Sequence, residues 1–234
     1  MERLSEEIRG NIHRVKERIA QAALRAGRDP DEIKLVAVSK SFGLEHIRAA
    51  IAAGITILGE NKVQEAHQKI PHIEAEVSWH MVGHLQSNKA KRAAELFDTI
   101  HSIDRLSIAE KLNRHLAALS KRMEVLIQVD LAGEEAKFGT AEGELEELVK
   151  RVREMENLTI KGLMIMPPFF SNPEDVRPYF QRLRQLVDQL NRKGVVPAEL
   201  KELSMGMSHD FEVAIEEGAT MVRVGTAVFG PREE

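Results

Sequence analysis

The chain has 234 residues, 43% of them hydrophobic and 30% charged, and no cysteine, so it can build a substantial core while excluding a disulfide framework, a thiolate zinc site, an iron–sulfur cluster and a cysteine nucleophile. Its 33 Lys and Arg against 37 Asp and Glu leave a net charge of -4 with both signs spread along the chain, which excludes the basic footprint of a nucleic-acid binder. No apolar run reaches the length of a membrane span and no apolar segment follows the N-terminal charges, so a cytoplasmic protein is expected.

Aromatic residues are only 4% of the chain, which favours helices and buried aliphatic strands over a polar-faced sandwich. Residues 5–26 carry Ile8, Ile12, Val15, Ile19, Ala23 and Leu24 on a 3.6-residue stripe that Gly27 and Pro30 end, predicting a helix ahead of everything else. Short apolar runs follow at 34–40, 56–59, 77–83, 99–103, 123–130, 159–166, 202–205 and 221–224, and read as eight strands. Amphipathic stretches lie between them, among them 44–53, 109–120, 142–155, 176–193 and 211–217. This alternation, without a linker or a shift in composition, predicts an α/β protein: a single (β/α)8 TIM barrel over 34–230, preceded by a helix within 1–27, all in one domain. A doubly wound open sheet is the alternative.

In such a barrel chemistry gathers where the strands end. The first strand run, Val36-Ala37-Val38-Ser39-Lys40, ends in a lysine, and a lysine desolvated at a barrel mouth can lose its proton and attack a carbonyl. The same residue read alone is a solvated strand-end charge. Ser204-Met205-Gly206-Met207-Ser208-His209-Asp210 brings hydroxyls and amide donors to the start of a predicted helix, where an anion is favoured. Val222-Arg223-Val224-Gly225-Thr226 repeats the arrangement on the last strand, with Arg223 on the same side as Gly225. The loops after strands seven and eight often hold phosphate in barrels. Capping and strand termination are the plainer readings of Ser208, Asp210 and Gly225.

His80 and His84 do not make a metal site on a straight strand, since four residues at ~3.3 Å each separate their α-carbons by roughly 13 Å. No metal is expected, and His80 reads as a strand-end group near the pocket or a satisfied core histidine. Glu142, Glu144, Glu146 and Glu147 read as a solvated face, and Met164, Met166, Met205, Met207 and Met221 as fillers of the barrel core. No Ser-His-Asp triad can be placed, and no phosphate-binding glycine loop or dinucleotide fingerprint is present.

From the first helix to Gly230 the chain resembles the pyridoxal phosphate homeostasis proteins, a family similar to the N-terminal domain of alanine racemase. The likeness rests on Val36-Ala37-Val38-Ser39-Lys40, Gly59-Glu60-Asn61-Lys62-Val63-Gln64-Glu65, residues 80–89, Gly162-Leu163-Met164, residues 204–210 and residues 223–230. It implies that pyridoxal 5'-phosphate (PLP) is held as an internal aldimine on Lys40 in a fold-type III barrel. It also implies that Ser208, Gly225 and Thr226 hold the phosphate, that Arg223 faces the pyridine nitrogen, and that Asn61 and His80 lie around the ring. The family often has asparagine where this chain has Asp130.

The resemblance implies a PLP carrier that serves cofactor homeostasis and passes PLP to apoenzymes. The alternative is an amino-acid racemase. A two-base racemase needs an acid–base group on each face of its substrate, and the only tyrosine, Tyr179, is predicted on a helix far from the strand ends. Nor does the chain carry the second domain that supplies the opposing tyrosine in alanine racemases, so a non-enzymatic monomer is expected. A Schiff-base aldolase would use the same lysine and phosphate loops without a chromophore.

Overall fold

Helix α1 (Glu2–Arg25) opens the chain in the computed structural model, which describes residues 2–133 and 138–231. Met1 and residues 232–234 of the expected domain lie outside the described residues. The helix buries Ile8, Ile12, Val15, Ile19, Ala22 and Ala23, a run of three- and four-residue steps that keeps one face inward. Leu24, expected on that stripe, is 67% exposed, because one further residue turns its side chain about 100° away from Ala23.

The strands are β1 (Lys34–Val38), β2 (Ile57–Glu60), β3 (Ser78–Met81), β4 (Thr99–Ile103), β5 (Met123–Asp130), β6 (Thr140–Ala141), β7 (Leu158–Ile165), β8 (Glu202–Ser204) and β9 (Met221–Val224). All pair in parallel in the order β4-β3-β2-β1-β9-β8-β7-β5, and a β4–β5 pairing closes the ring, while β6 adds only to the outer end of β5. The closure excludes the open doubly wound sheet. The seam between the chain's ends runs in register from Lys34↔Met221 to Ala37↔Val224. The strand runs read from the sequence are all present; β1 stops at Val38, two residues before Lys40.

Around the barrel lie α2 (Leu44–Ala52), α3 (Val63–Lys69), α4 (Ala90–Leu96), α5 (Leu106–Ala118), α6 (Leu145–Val152), α7 (Arg177–Arg192), α8 (Phe211–Glu216) and α9 (Thr226–Phe229). Aliphatic residues occupy both parities of the strands because both faces are covered. One face meets the helices in the large outer core, where Phe97, Phe180 and Phe211 are fully buried, each contributing about 1.5–3 kcal/mol of transfer free energy. The other face fills the barrel with Val36, Val38, Val82, Leu126, Met164 and Met221. Of the methionines read as barrel filler, Met205 belongs instead to the outer core, and Met166 and Met207 lie at the mouth, beyond the ends of their strands.

Helix α1 packs on α2, α8 and α9 beside the β1–β9 seam. Asn11 donates to the Val228 carbonyl at 3.0 Å, and Arg18 pairs with Glu212 at 2.8 Å while its guanidinium sits 4.6 Å from the Phe211 ring centre. Among the described residues no helix is long and apolar enough to cross a membrane.

Candidate functional site

The mouth of the barrel, at the C-terminal ends of the strands, holds a cleft of about 280 Å³. Lys40, Asn61, Ser208, Arg223, Gly225 and Thr226 all line it, together with Val38, Val82, Met207 and His209. His80 does not. Val82, two residues on and therefore on the same strand face, lines the cleft, which leaves His80 one layer deeper and only 5% exposed.

Lys40 reaches the cleft because side chains alternate past the end of β1: Val38 and Lys40 face inward and Ser39 outward. Behind it a buried ionic cluster braces the backbone. Ser39 Oγ donates to Glu60 Oε1 at 2.7 Å, and Lys69 Nζ donates to the Ser39 carbonyl at 2.8 Å, to Glu60 Oε1 at 2.7 Å and to Glu65 Oε1 at 2.6 Å. Glu65 also accepts the N–H of Ser41, which has a left-handed φ of 67°, a conformation uncommon outside glycine. The residues on both sides of Lys40 are thus tied to α3. Burial pushes the Glu60 carboxyl above its ordinary pKa, while Lys69 and Ser39 pull it back down.

Arg223 forms the floor. Its guanidinium donates to Ser204 Oγ at 2.7 Å and to the Ile165 carbonyl at 2.8 Å. Burial lowers its pKa to about 10, with Asp210 opposing the fall, so it is charged at neutral pH.

At the far end the β8–α8 and β9–α9 loops meet. Gly206 has φ +89°, and a β-carbon there would fall 2.6 Å from Ala214 Cβ, so only glycine lets the loop turn under α8. Asp210 Oδ1 accepts the Met207 N–H at 2.6 Å and fixes the turn, and burial raises that carboxyl's pKa. Ser208 Oγ accepts the Ala227 N–H at 3.3 Å and ties the loops together. The N–H groups of Ser208, His209 and Thr226 have no acceptor among the described residues, an arrangement suited to a bound anion.

Asn61 is placed by a close approach. A β-carbon on Gly83 would fall 2.3 Å from the Asn61 carbonyl oxygen, so glycine there allows the β2 and β3 ends to touch. His84 pairs with Asp104 at 3.3 Å and stacks on Phe138 at 3.5 Å, while His80 bonds His101, so the two histidines serve different partners. Among the described residues no cluster of three metal-ligating side chains is present. Asp130 accepts the N–H groups of Ala132 at 2.9 Å and Gly133 at 3.1 Å, a local turn-forming role. Glu142 pairs with Arg182, and Glu146 with Lys150 and Lys193 at 2.6 Å each, so this face is ion-paired as well as solvated. Tyr179 packs 5.8 Å from the Phe170 ring, away from the cleft lining.

Two features escaped the sequence reading: the Lys69 cluster and the partners of Arg223 inside the barrel. The available signal was polar residues set in aliphatic strands, namely His80, His101, Ser204 and Arg223. Outside the strands, a lysine four residues after Glu65 on a helix gave no sign that it was buried.

The family profile described as alanine racemase, N-terminal domain, matches residues 7–233. A pyridoxal phosphate homeostasis protein of Aquifex aeolicus is 45% identical over 223 residues, covering 95% of this chain and 97% of the relative. The structure of PipY from Synechococcus elongatus with PLP bound superposes with a TM-score of 0.82 at 36% identity, covering 92% of this chain and all of that one. An alanine racemase from Corynebacterium glutamicum shares the fold, with a TM-score of 0.74 at 18% identity over 97% of this chain and 62% of its own. With identity at this level over almost the whole length, the chain belongs to the alanine racemase N-terminal domain family and, within it, to the pyridoxal phosphate homeostasis proteins.

Proposed function

We propose that the chain binds PLP in the barrel-mouth cleft and serves PLP homeostasis, with Lys40 as the point of attachment. The observation that carries this reading is one cleft in which an amine, a buried guanidinium and a cradle of hydroxyl and N–H donors converge. That donor set fits PLP: the cradle suits a phosphate, Arg223 a pyridine nitrogen, and Lys40 an aldehyde. The bound homologue PipY and the names of the relatives point the same way.

When bound, PLP supplies an aldehyde that condenses with a primary amine and releases water. Lys40 presents that amine from a braced backbone. Ser208, Gly225 and Thr226 would anchor the phosphate end, and Asn61 would stand beside the ring. Arg223, fixed and positively charged, discourages protonation of a nitrogen placed against it, which weakens the ring as an electron sink. The site therefore holds the cofactor without making it maximally reactive. A two-base racemase would need a second acid–base group opposite Lys40; Tyr179 is not in the cleft, and the one histidine among the lining residues is His209, whose service in that role the racemase assay tests. We propose further a cytoplasmic, monomeric carrier built on one barrel domain, which hands PLP to apoenzymes.

Incubation with PLP, borohydride reduction and peptide mapping test the site. The expected result is a visible absorbance band lost on reduction, with the pyridoxyl mass on Lys40. Lys40→Ala should lose the covalent link and keep weaker, phosphate-anchored binding. A reduced adduct on another lysine would refute the assignment of Lys40, and no uptake of PLP would refute the function. Racemase assay, size-exclusion chromatography and transfer of PLP to an apoenzyme test the finer parts.

A further inference from the structure

Beneath Arg223 a line of polar groups crosses the inside of the barrel. Arg223 on β9 donates to Ser204 Oγ on β8 at 2.7 Å; Ser204 Oγ lies 2.8 Å from His101 Nδ1 on β4; His101 Nε2 lies 2.9 Å from His80 Nδ1 on β3; and His80 Nε2 lies 3.1 Å from Ser78 Oγ. Strands β8 and β4 are not neighbours, so the Ser204–His101 link spans the lumen. Ser204 and His101 are wholly buried, Arg223 and His80 almost so, and the surrounding lumen is aliphatic.

We propose that Ser204, His101 and His80 are positioning residues that form a one-way hydrogen-bond chain and hold the Arg223 guanidinium in a single orientation toward the cleft. The direction follows from donor chemistry. A guanidinium only donates, so Ser204 Oγ accepts from it; the one other partner of that hydroxyl among the described residues is His101 Nδ1, which therefore takes its proton. His101 then carries its proton on Nε2 and donates to His80 Nδ1. His80 in turn carries its proton on Nε2 and donates to Ser78. One obligatory donor at the cleft sets every proton down the line.

Each ring needs one bare nitrogen for this, hence a neutral imidazole. Burial supplies that, lowering His80 to about 4 and His101 well below its ordinary value. The Ile165 carbonyl holds the second Nη of Arg223, so two fixed acceptors define the plane of the guanidinium. An aliphatic lumen packs at least as well as such a chain, and what the polar groups add is orientation. The value of that orientation to the cofactor rests on the PLP reading above.

Long-range 1H–15N spectra of the uniformly 15N-labelled protein without PLP provide the first test. Both His80 and His101 should show a protonated Nε2 and a bare Nδ1 at neutral pH, and Arg223 should give separately resolved Nη–H signals from arrested rotation. In Ser204→Ala the His101 Nδ1 signal should move downfield and the Arg223 Nη–H signals should merge. Ser204→Thr, which keeps the hydroxyl, should restore both. With PLP added, Ser204→Ala should still give the Lys40 adduct on reduction, but with its absorbance band displaced from the wild-type position, and Ser204→Thr should return it. A proton on Nδ1 of either ring in the wild type would overturn the proposal even if Ser204→Ala does not fold. Unchanged Arg223 signals, or an unchanged band, in a folded Ser204→Ala would also overturn it. Correct tautomers and an arrested Arg223 in a protein that takes up no PLP would uphold the chain and refute the functional reading instead.

Discussion

Arg223 concentrates the chemistry of the cleft in one side chain. It is buried at 4% exposure, both terminal nitrogens have acceptors, and its pKa of about 10 leaves it charged at pH 7. In the binding mode proposed above, Arg223 stands at the pyridine ring, while Ser208 and Thr226 hold the phosphate. Arg223→Ala should therefore shift the absorbance of bound PLP more than it weakens uptake, and an unchanged spectrum would remove Arg223 from the ring. Gly83 is the other residue where one atom decides the outcome. In Gly83→Ala the new β-carbon meets the Asn61 backbone, which must move, at a cost of about 1–3 kcal/mol typical of overpacking. Urea unfolding would read the loss; a variant as stable as the wild type would show that β2 and β3 separate freely at this point.

At the scale of elements, the cleft depends on structures that never touch it. Helix α3 delivers Lys69 and Glu65 to the back of the Lys40 segment, and β2 delivers Glu60. Replacing Lys69 by Met leaves Glu60 buried without its cation, which costs about 3–5 kcal/mol when one partner of a buried pair is lost. The double variant Lys69→Met with Glu60→Leu should recover part of that stability, and a double variant no better than the single would argue against charge as the cause. Helix α1 acts on the β1–β9 seam through its buried face. Ile12→Ala, at a site 2% exposed, should lower stability by about 2–5 kcal/mol in chemical denaturation. A cost below about 0.5 kcal/mol, the range of surface changes, would mean that α1 is not part of the cooperative fold.

For the whole molecule, the buried histidines give stability a pH dependence. Burial lowers the His80 pKa from 6.5 to about 4, with Asp98 and Glu202 raising it and Lys34 lowering it. Between those values the unfolded chain binds a proton that the folded chain refuses, so stability is fully present above pH 6.5 and falls as pH drops toward 4. The His80 share is on the order of 3 kcal/mol, and His101 adds in the same direction. Urea midpoints from pH 7 to pH 4.5 should decline steeply in the wild type and less in His80→Gln. Parallel declines would show that His80 does not carry the effect.

The runs of Val, Ile and Leu at a regular spacing were enough to read a barrel, because a strand covered on both faces must be apolar at both parities. The stripe of α1 was legible for the same reason at a period of 3.6, except at Leu24, where one step of rotation separates core from solvent. The cleft residues were legible because strand ends and the glycine-rich loops that follow them are marked in sequence: Lys40 after its aliphatic run, Ser208 and Thr226 beside Gly206 and Gly225. What the tertiary structure alone decided is which polar groups meet across the molecule. Ser204 and His101 are 103 residues apart and touch only because the barrel closes, while His80, one layer below the cleft, joins that chain from the neighbouring strand β3. Lys69 looks like any helix-surface lysine until α3 packs against β2 and the Ser39 carbonyl just past β1. Periodicity records which way a side chain faces relative to its own element; closure of the sheet decides what it faces.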